Sequence, residues 1–252
     1  MKIITFANHK GGVGKTTSTL NVAYALAGGG HRVLVIDCDA QRNLTRSFLL
    51  PDTYSDLGAV VSGKAKLGDV VLGTGQDNLS LVAASRELQF LEQVLTQQFG
   101  YEHLLRNELA PLVDRFDYVL IDTPPRLAAL TYAALVASDR VFIPVQPEFY
   151  GFEGLEDLLQ ACQRVTANFN PKLAVGGIFF TKWSEQYRRR LHREVVDLIT
   201  SEHPSMTMST TIRDNVAIAE AQAQKQGLHE WAPTSNGAED YKSLTTEILS
   251  RL

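Results

Sequence analysis

The stretch HKGGVGKTT, residues 9 to 17, lies between a short β-rich run, KIITFAN (2 to 8), and a segment with helical apolar spacing, TTSTLNVAYALAGGG, that stops at a glycine cluster. Strand, glycine-rich turn and helix in direct succession form a narrow specification. Gly11, Gly12 and Gly14 allow the backbone to turn its N–H groups inward around an anion at a helix N-terminus. The phosphate-loop pattern G-x-x-x-x-G-K-[ST] is met at its end by Gly14, Lys15 and Thr16, while His9 occupies the place of its first glycine. A second lysine, Lys10, stands at the front of the turn, where phosphate binding alone does not require it.

The rest of the chain repeats the alternation. Near-continuous apolar runs occur at 32–39 (RVLVIDCD), 79–84, 118–123, 140–145 and 173–180, the pattern of strands covered on both faces. Helical patterns separate them at 86–98, 102–113, 128–137, 152–168, 186–202 and 237–252. This order predicts an α/β fold with a doubly wound, mostly parallel sheet flanked by helices, in one domain spanning residues 1–252. The glycine-rich stretch 58–75 reads as surface loops and short helices within that domain.

Composition excludes several classes. With 44% hydrophobic and 21% charged residues the chain is an ordinary globular sequence, and its net charge of −4 provides no global attraction to nucleic acid or anionic lipid. Binding to either would need a local patch. Cys38 and Cys162 are isolated in apolar surroundings, as expected of buried thiols in a reducing compartment. No apolar run approaches the ~18 residues of a membrane span, and the opening KIITFA is too short for a signal core, so a cytoplasmic location is expected.

In a phosphate loop, Lys15 reaches the β and γ phosphates and Thr16 coordinates Mg²⁺. KGGVGKTT resembles the deviant Walker A motif of the ParA/MinD group of P-loop ATPases, whose early lysine is the signature lysine. The resemblance continues through VIDCDAQRNLT, FDYVLIDTPPRLAALTYAALVASD, PVQPEFYGFEGLEDLL and NGAEDYKSLTTEIL, in family order over most of the chain. Within the group the sequence is most similar to the short ParA (Soj-type) partitioning proteins. The resemblance implies a P-loop NTPase fold, ATP and Mg²⁺ as cofactors, and nucleotide contacts from Lys10, Gly11, Gly12, Val13, Gly14, Lys15, Thr16 and Thr17.

Asp122 ends a buried strand, where a lone carboxylate is costly unless paired or near a metal, so Mg²⁺ coordination is its expected role. Asp37 and Asp39 flank Cys38, and only one of the two is expected to face the γ-phosphate. The family positions its attacking water with the second of the two, which here is Asp39; Asp37 is expected to support the outer metal shell or the loop. The resemblance also implies that Lys10 reaches the nucleotide of the other subunit in an ATP-sandwiched homodimer. An added cation there stabilises charge on the peripheral phosphate oxygens.

Two further assignments are looser. Ile212, Arg213 and Asp214 occupy the neighbourhood of the family's adenine loop without its usual proline, leaving base contact and a helix cap by Asp214 as alternatives. Arg126 stands where the family commonly has a small residue, as a partner contact or a solvated side chain. The run KWSEQYRRRLHREVVDLI carries Lys182, Arg188, Arg189 and Arg193 as candidates for non-specific DNA contact, with Leu191, Val195, Leu198 and Ile199 as the buried stripe and Arg190 facing Glu194. The resemblance implies a nucleoid-associated ATP dimer with slow turnover stimulated by a ParB-like activator or cargo adaptor, in plasmid, chromosome or protein-body partitioning. The competing classes are a MinD-like membrane ATPase and an amidoligase-type metabolic enzyme. The terminal YKSLTTEILSRL is too poor in cations for a membrane anchor, so no stable membrane association is expected.

Overall fold

The computed structural model describes residues 1–148, 151–187 and 190–252. Its centre is a seven-stranded sheet of order β3-β4-β2-β5-β1-β6-β7. The strands are β1 (Lys2–Phe6), β2 (Val33–Asp37), β3 (Val71–Gly73), β4 (Leu79–Val82), β5 (Tyr118–Asp122), β6 (Arg140–Val145) and β7 (Ala174–Phe180). All neighbours pair in parallel except β3 with β4. The predicted α/β architecture is therefore present. The antiparallel β3 lies in the stretch expected to hold only loops and short helices, and three residues are too few to show a period of two.

The helices are α1 (Lys15–Gly28), α2 (Asn43–Arg46), α3 (Leu57–Val61), α4 (Leu88–Leu95), α5 (Leu104–Leu109), α6 (Ala129–Ala137), α7 (Gly151–Asn168), α8 (Arg190–Glu202), α9 (Val216–Ala223), α10 (Leu228–Trp231) and α11 (Asn236–Ser250). Short 3₁₀ turns at Tyr101–His103 and Ala110–Leu112 flank α5, so the single helix expected over 102–113 is broken into three pieces. Pro111 lies in the second of these turns.

Both sheet faces are buried, which explains the unbroken apolar runs. Along β2 the side chains alternate: Val33 and Val35 enter the core formed with α1, α9, α10 and α11, while Leu34 and Ile36 enter the opposite core beneath α3 to α6. A third cluster fills the space among β6, β7, α7 and α8. The edges are closed differently. Beyond β7, Thr207 and Ile212 form isolated bridges with Ile178 and Thr181, and the short β3 ends the opposite side.

Leu244 and Ile248 of α11 are fully buried, and this helix packs on α1. The terminal apolar stripe thus belongs to the core. No helix among the described residues is long and apolar enough to cross a membrane.

Candidate nucleotide site

Parallel pairing brings three strand ends together. β5 lies between β2 and β1, with Asp122 opposite Asp37 on one side and opposite Phe6 on the other. The glycine-rich turn leaves β1 beside these carboxylates and enters α1 at Lys15. Gly12 and Gly14 have φ of 76° and 95°, in the left-handed region that favours glycine. Above Gly14 there is little space: an added Cβ would meet Thr181 Cγ2 at 3.4 Å. The Thr181 hydroxyl donates to the Val13 carbonyl at 2.9 Å, fixing the turn from β7.

Lys15 curls back across the turn, donating to the Lys10 carbonyl at 2.9 Å. Burial pushes its ammonium pKa down, while Asp122 and Asp39 pull it up. Thr16 Oγ1 donates to Asp122 Oδ2 at 2.7 Å. The other carboxylate oxygen, Asp122 Oδ1, is buried without a hydrogen-bond partner. Burial and the neighbouring Asp37 charge push the Asp122 carboxyl well above its usual range. The Thr16 hydroxyl and the Asp122 carboxylate with its orphan oxygen form a donor set of the kind that suits a hard divalent cation, which would supply the missing partner.

Asp37 has a different environment. Its Oδ1 accepts the Asp39 N–H at 3.0 Å, and its Oδ2 accepts both the N–H and the hydroxyl of Thr45, at 2.8 and 2.7 Å. These hydrogen bonds tie the end of β2 to the loop that carries Asp39 and Thr45. Desolvation pushes this carboxyl up to about 6, against the pull of those hydrogen bonds. Asp39 lines the cleft over the phosphate turn and caps its own turn, Oδ1 accepting the Gln41 N–H at 2.9 Å. β2 ends at Asp37, so Asp39 lies in the following loop, and an anchored carboxylate is thereby separated from one that faces the cleft.

The cleft encloses about 590 Å³. It is lined by the turn from Gly11 to Thr17 and, among others, by Ile212, Asn215, Ile218, Gln222 and Tyr241. Sequence reasoning missed Thr181, Asn43, Gln222 and Tyr241, which reach the cleft from four separate segments. A buried aromatic such as Tyr241, with its hydroxyl 3.3 Å from Ser18 Oγ, was legible only as part of a helical stripe.

Several sequence-based expectations need correction. Arg213 lines the cleft, but its guanidinium is directed to Asp240, at 2.6 and 3.0 Å, and to Glu239, so its side chain is tied to α11. Asp214 does not cap α9; Asn215 does, accepting the Ala217 N–H. Lys182 lies at the cleft rim with φ 50°, before α8 begins. Arg188 and Arg189 lie outside the described residues. Arg190 pairs with Glu194 at 2.8 Å as expected, and Arg193 donates to the Glu185 carbonyl. In α8 only Val195 and Ile199 are buried; Leu191 and Leu198 are exposed because the helix meets the core along an i, i+4 seam narrower than the expected stripe.

Lys10 does not line its own phosphate cleft. Its ammonium donates to Glu148 at 2.5 Å, and its backbone N–H donates to Asn8 Oδ1. Asn8 in turn holds the Pro144 carbonyl, joining the front of the turn to the end of β6. The surplus lysine is thus held by a carboxylate rather than standing free. His9 is 3.1 Å from Asp157 on α7, where close packing at Gly154 brings that helix against residues 8 to 10.

The family model that matches residues 1–175 is described as an AAA domain, AAA_31. The chromosome-partitioning ATPase Soj of Treponema pallidum is 37% identical over 252 residues, covering 99% of this chain and 98% of its own. The chain belongs to the ParA/MinD family. A ParA family protein of Chlamydia muridarum is 34% identical over 254 residues, with 99% and 98% covered. Among solved structures, cobyrinic acid a,c-diamide synthase from Mycobacterium smegmatis, with bound ATP analogue and magnesium, matches this ParA/MinD chain with a TM-score of 0.84 and 28% identity over 99% of this chain and 94% of that one. A Cyanothece McdA–ATP complex matches with a TM-score of 0.89 at 22% identity, covering 99% and 96%, and shows the shared fold.

Proposed function

We propose that this chain is a Mg²⁺-dependent ATPase that partitions or positions DNA or another cargo. The observation that carries the reading is the orphan Oδ1 of Asp122 beside Thr16, at the mouth of a glycine turn whose lysine lies across it. Thr16 and Asp122 would hold Mg²⁺, which neutralises charge on the β and γ phosphates when bound. The N–H groups of Gly11 to Thr17 hold the phosphates, Lys15 swings from the Lys10 carbonyl toward them, and Asp39 orients the attacking water from the cleft wall. Asp37 holds the loop that carries Asp39. Names of relatives such as the chromosome-partitioning ATPase Soj support the cargo-moving role.

The finer reading is a homodimer that closes around ATP, binds DNA without sequence preference through the basic end of α8, and lets go after a ParB-like partner stimulates slow hydrolysis. Lys10 completes the neighbour's site once it leaves Glu148. Exchange of a partly exposed ion pair of this kind costs little, about 0–1 kcal/mol. One domain, from 1 to 252, carries all of these parts, and its location is the nucleoid.

The deciding experiment is ATP hydrolysis and DNA binding measured together. Asp39→Ala should bind ATP and dimerise while losing turnover; unchanged turnover rejects the water-positioning role. DNA affinity with ATP and Mg²⁺ should fall by ~10³ to 10⁵ between 50 and 200 mM salt for about 6 to 10 phosphate contacts. Salt-insensitive binding rejects the DNA surface. An amidoligase reading has one observation in its favour, the 28% identity to the diamide synthase, and a ligation assay with ATP, glutamine and a carboxylate acceptor tests it.

A further inference from the structure

Arg126 follows two prolines in the loop that leaves Asp122, and its guanidinium donates to Glu92 on α4 at 2.5 Å. Glu92 is only 6% exposed. Its second carboxylate oxygen accepts the N–H of Leu130, in the first turn of α6, at 3.0 Å. The residue that precedes that helix, Ala128, offers no side-chain cap, so a carboxylate from another helix satisfies one of its orphan donors. Thr131 closes the turn by donating to the Arg126 carbonyl at 2.7 Å. One buried carboxylate therefore holds both the loop and the helix that follows it.

The other end of the loop is fixed at the phosphate site. Thr123 donates to the Phe6 carbonyl at 2.9 Å, just before the glycine turn. Pro125 lines the cleft, its Cβ 3.8 Å from where a Cβ on Gly11 would stand. With proline restricting φ at two successive positions, the segment has few internal ways to move. Its placement over the phosphate turn is then governed by its two attachments.

We propose that Glu92 and Arg126 are a positioning pair that sets the loop of Pro124 and Pro125 over the phosphate site, so that α4 controls the geometry of hydrolysis. This rests on the ATPase reading above. Neither residue touches the nucleotide: Arg126 acts through Pro125, and Glu92 acts through Arg126 and the start of α6. The pair accounts for an arginine where the family commonly has a small residue, because only a long cation at 126 reaches the carboxylate on α4.

The test separates positioning from simple support. Arg126→Ala and Glu92→Gln should each lower kcat about tenfold with KM for ATP changed less than about twofold, as expected when alignment rather than binding is lost. The double variant should be no slower than Glu92→Gln alone, since the ion pair that Arg126→Ala removes is already lost there. Arg126→Lys should recover part of the rate. Amide exchange over residues 123 to 131 gives a readout independent of turnover, and it should quicken in Arg126→Ala while the exchange of β1 and β5 is unchanged. Parental kcat in Arg126→Ala, a loss confined to KM, additive losses in the double variant, or unchanged exchange over 123 to 131 would each overturn the proposal. A wild-type protein that neither binds nor hydrolyses ATP would defeat the ATPase reading instead, and the exchange comparison would still decide the pair.

Discussion

Replacing Asp122 with asparagine should make the metal-free protein more stable while removing its response to nucleotide. The carboxyl is completely buried, one of its oxygens has no partner, and Asp37 stands directly opposite in the β2–β5 register. Burial and the Asp37 charge hold its pKa well above the usual range. A carboxyl whose folded pKa is raised weakens folding as pH climbs above its unfolded value near 4, until the folded pKa is passed. Asparagine keeps the shape and the acceptor for the Thr16 hydroxyl but has no charge to bury. Relief of a buried, imperfectly compensated carboxylate is worth about 1–3 kcal/mol, or roughly 2–12 °C in melting temperature for a chain of this size.

The assay is thermal unfolding in EDTA across pH 5 to 8, then with Mg²⁺ and ATP. Asp122→Asn should melt above the parent, with the gap widening as pH rises. Saturating nucleotide at 100 times Kd would raise the parent by about 2.7 kcal/mol, and most of that gain should vanish in the variant. A variant less stable than the parent in EDTA at pH 8, or one that keeps the full nucleotide shift, would refute the reasoning.

Lys10→Ala should retain ATP binding, measured by titration calorimetry, but lose ATP-dependent dimerisation by light scattering and the 10³- to 10⁵-fold of rate that a trans cation contributes. Gly176→Ala should destabilise by about 1–3 kcal/mol in denaturant titration, because its Cβ would stand 2.5 Å from Cζ of the buried Phe142 ring. At Glu247 partial burial pushes the carboxyl up, but hydrogen bonds from Thr210 and Ser209 outweigh it and hold the pKa at about 2. That depressed value stabilises the fold above the unfolded pKa near 4.3, by about 1 kcal/mol after allowing for solvent screening. The contribution is lost as pH falls toward 2, so Glu247→Gln should narrow the parent's advantage in acid melts.

Local pattern made much of this protein legible. Strand ends carrying Asp37 and Asp122 could be read because buried parallel strands are continuous apolar runs, and a carboxylate closing such a run is conspicuous. The phosphate turn could be read because φ above zero calls for glycine at 12 and 14. What pattern did not reveal was tertiary pairing. Arg213 has the composition of a base contact, yet its direction is set by Asp240, 27 residues later. Lys10 looks free until Glu148, 138 residues away, is brought to it by β6. Arg126 was open between solvent and a partner until α4 supplied Glu92.

The two sheet edges described earlier bear on how copies of this chain can meet. An unpaired strand edge is a template for indiscriminate association, and proteins commonly blunt it. Here one rim is reduced to three residues ending in a glycine, and the other is overlaid by the bridges from Thr207 and Ile212. Joining of copies by strand addition is thereby discouraged at both rims. In the proposed ATP-closed dimer the copies would meet instead at the face that holds the cleft, where assembly is conditional on what the cleft contains.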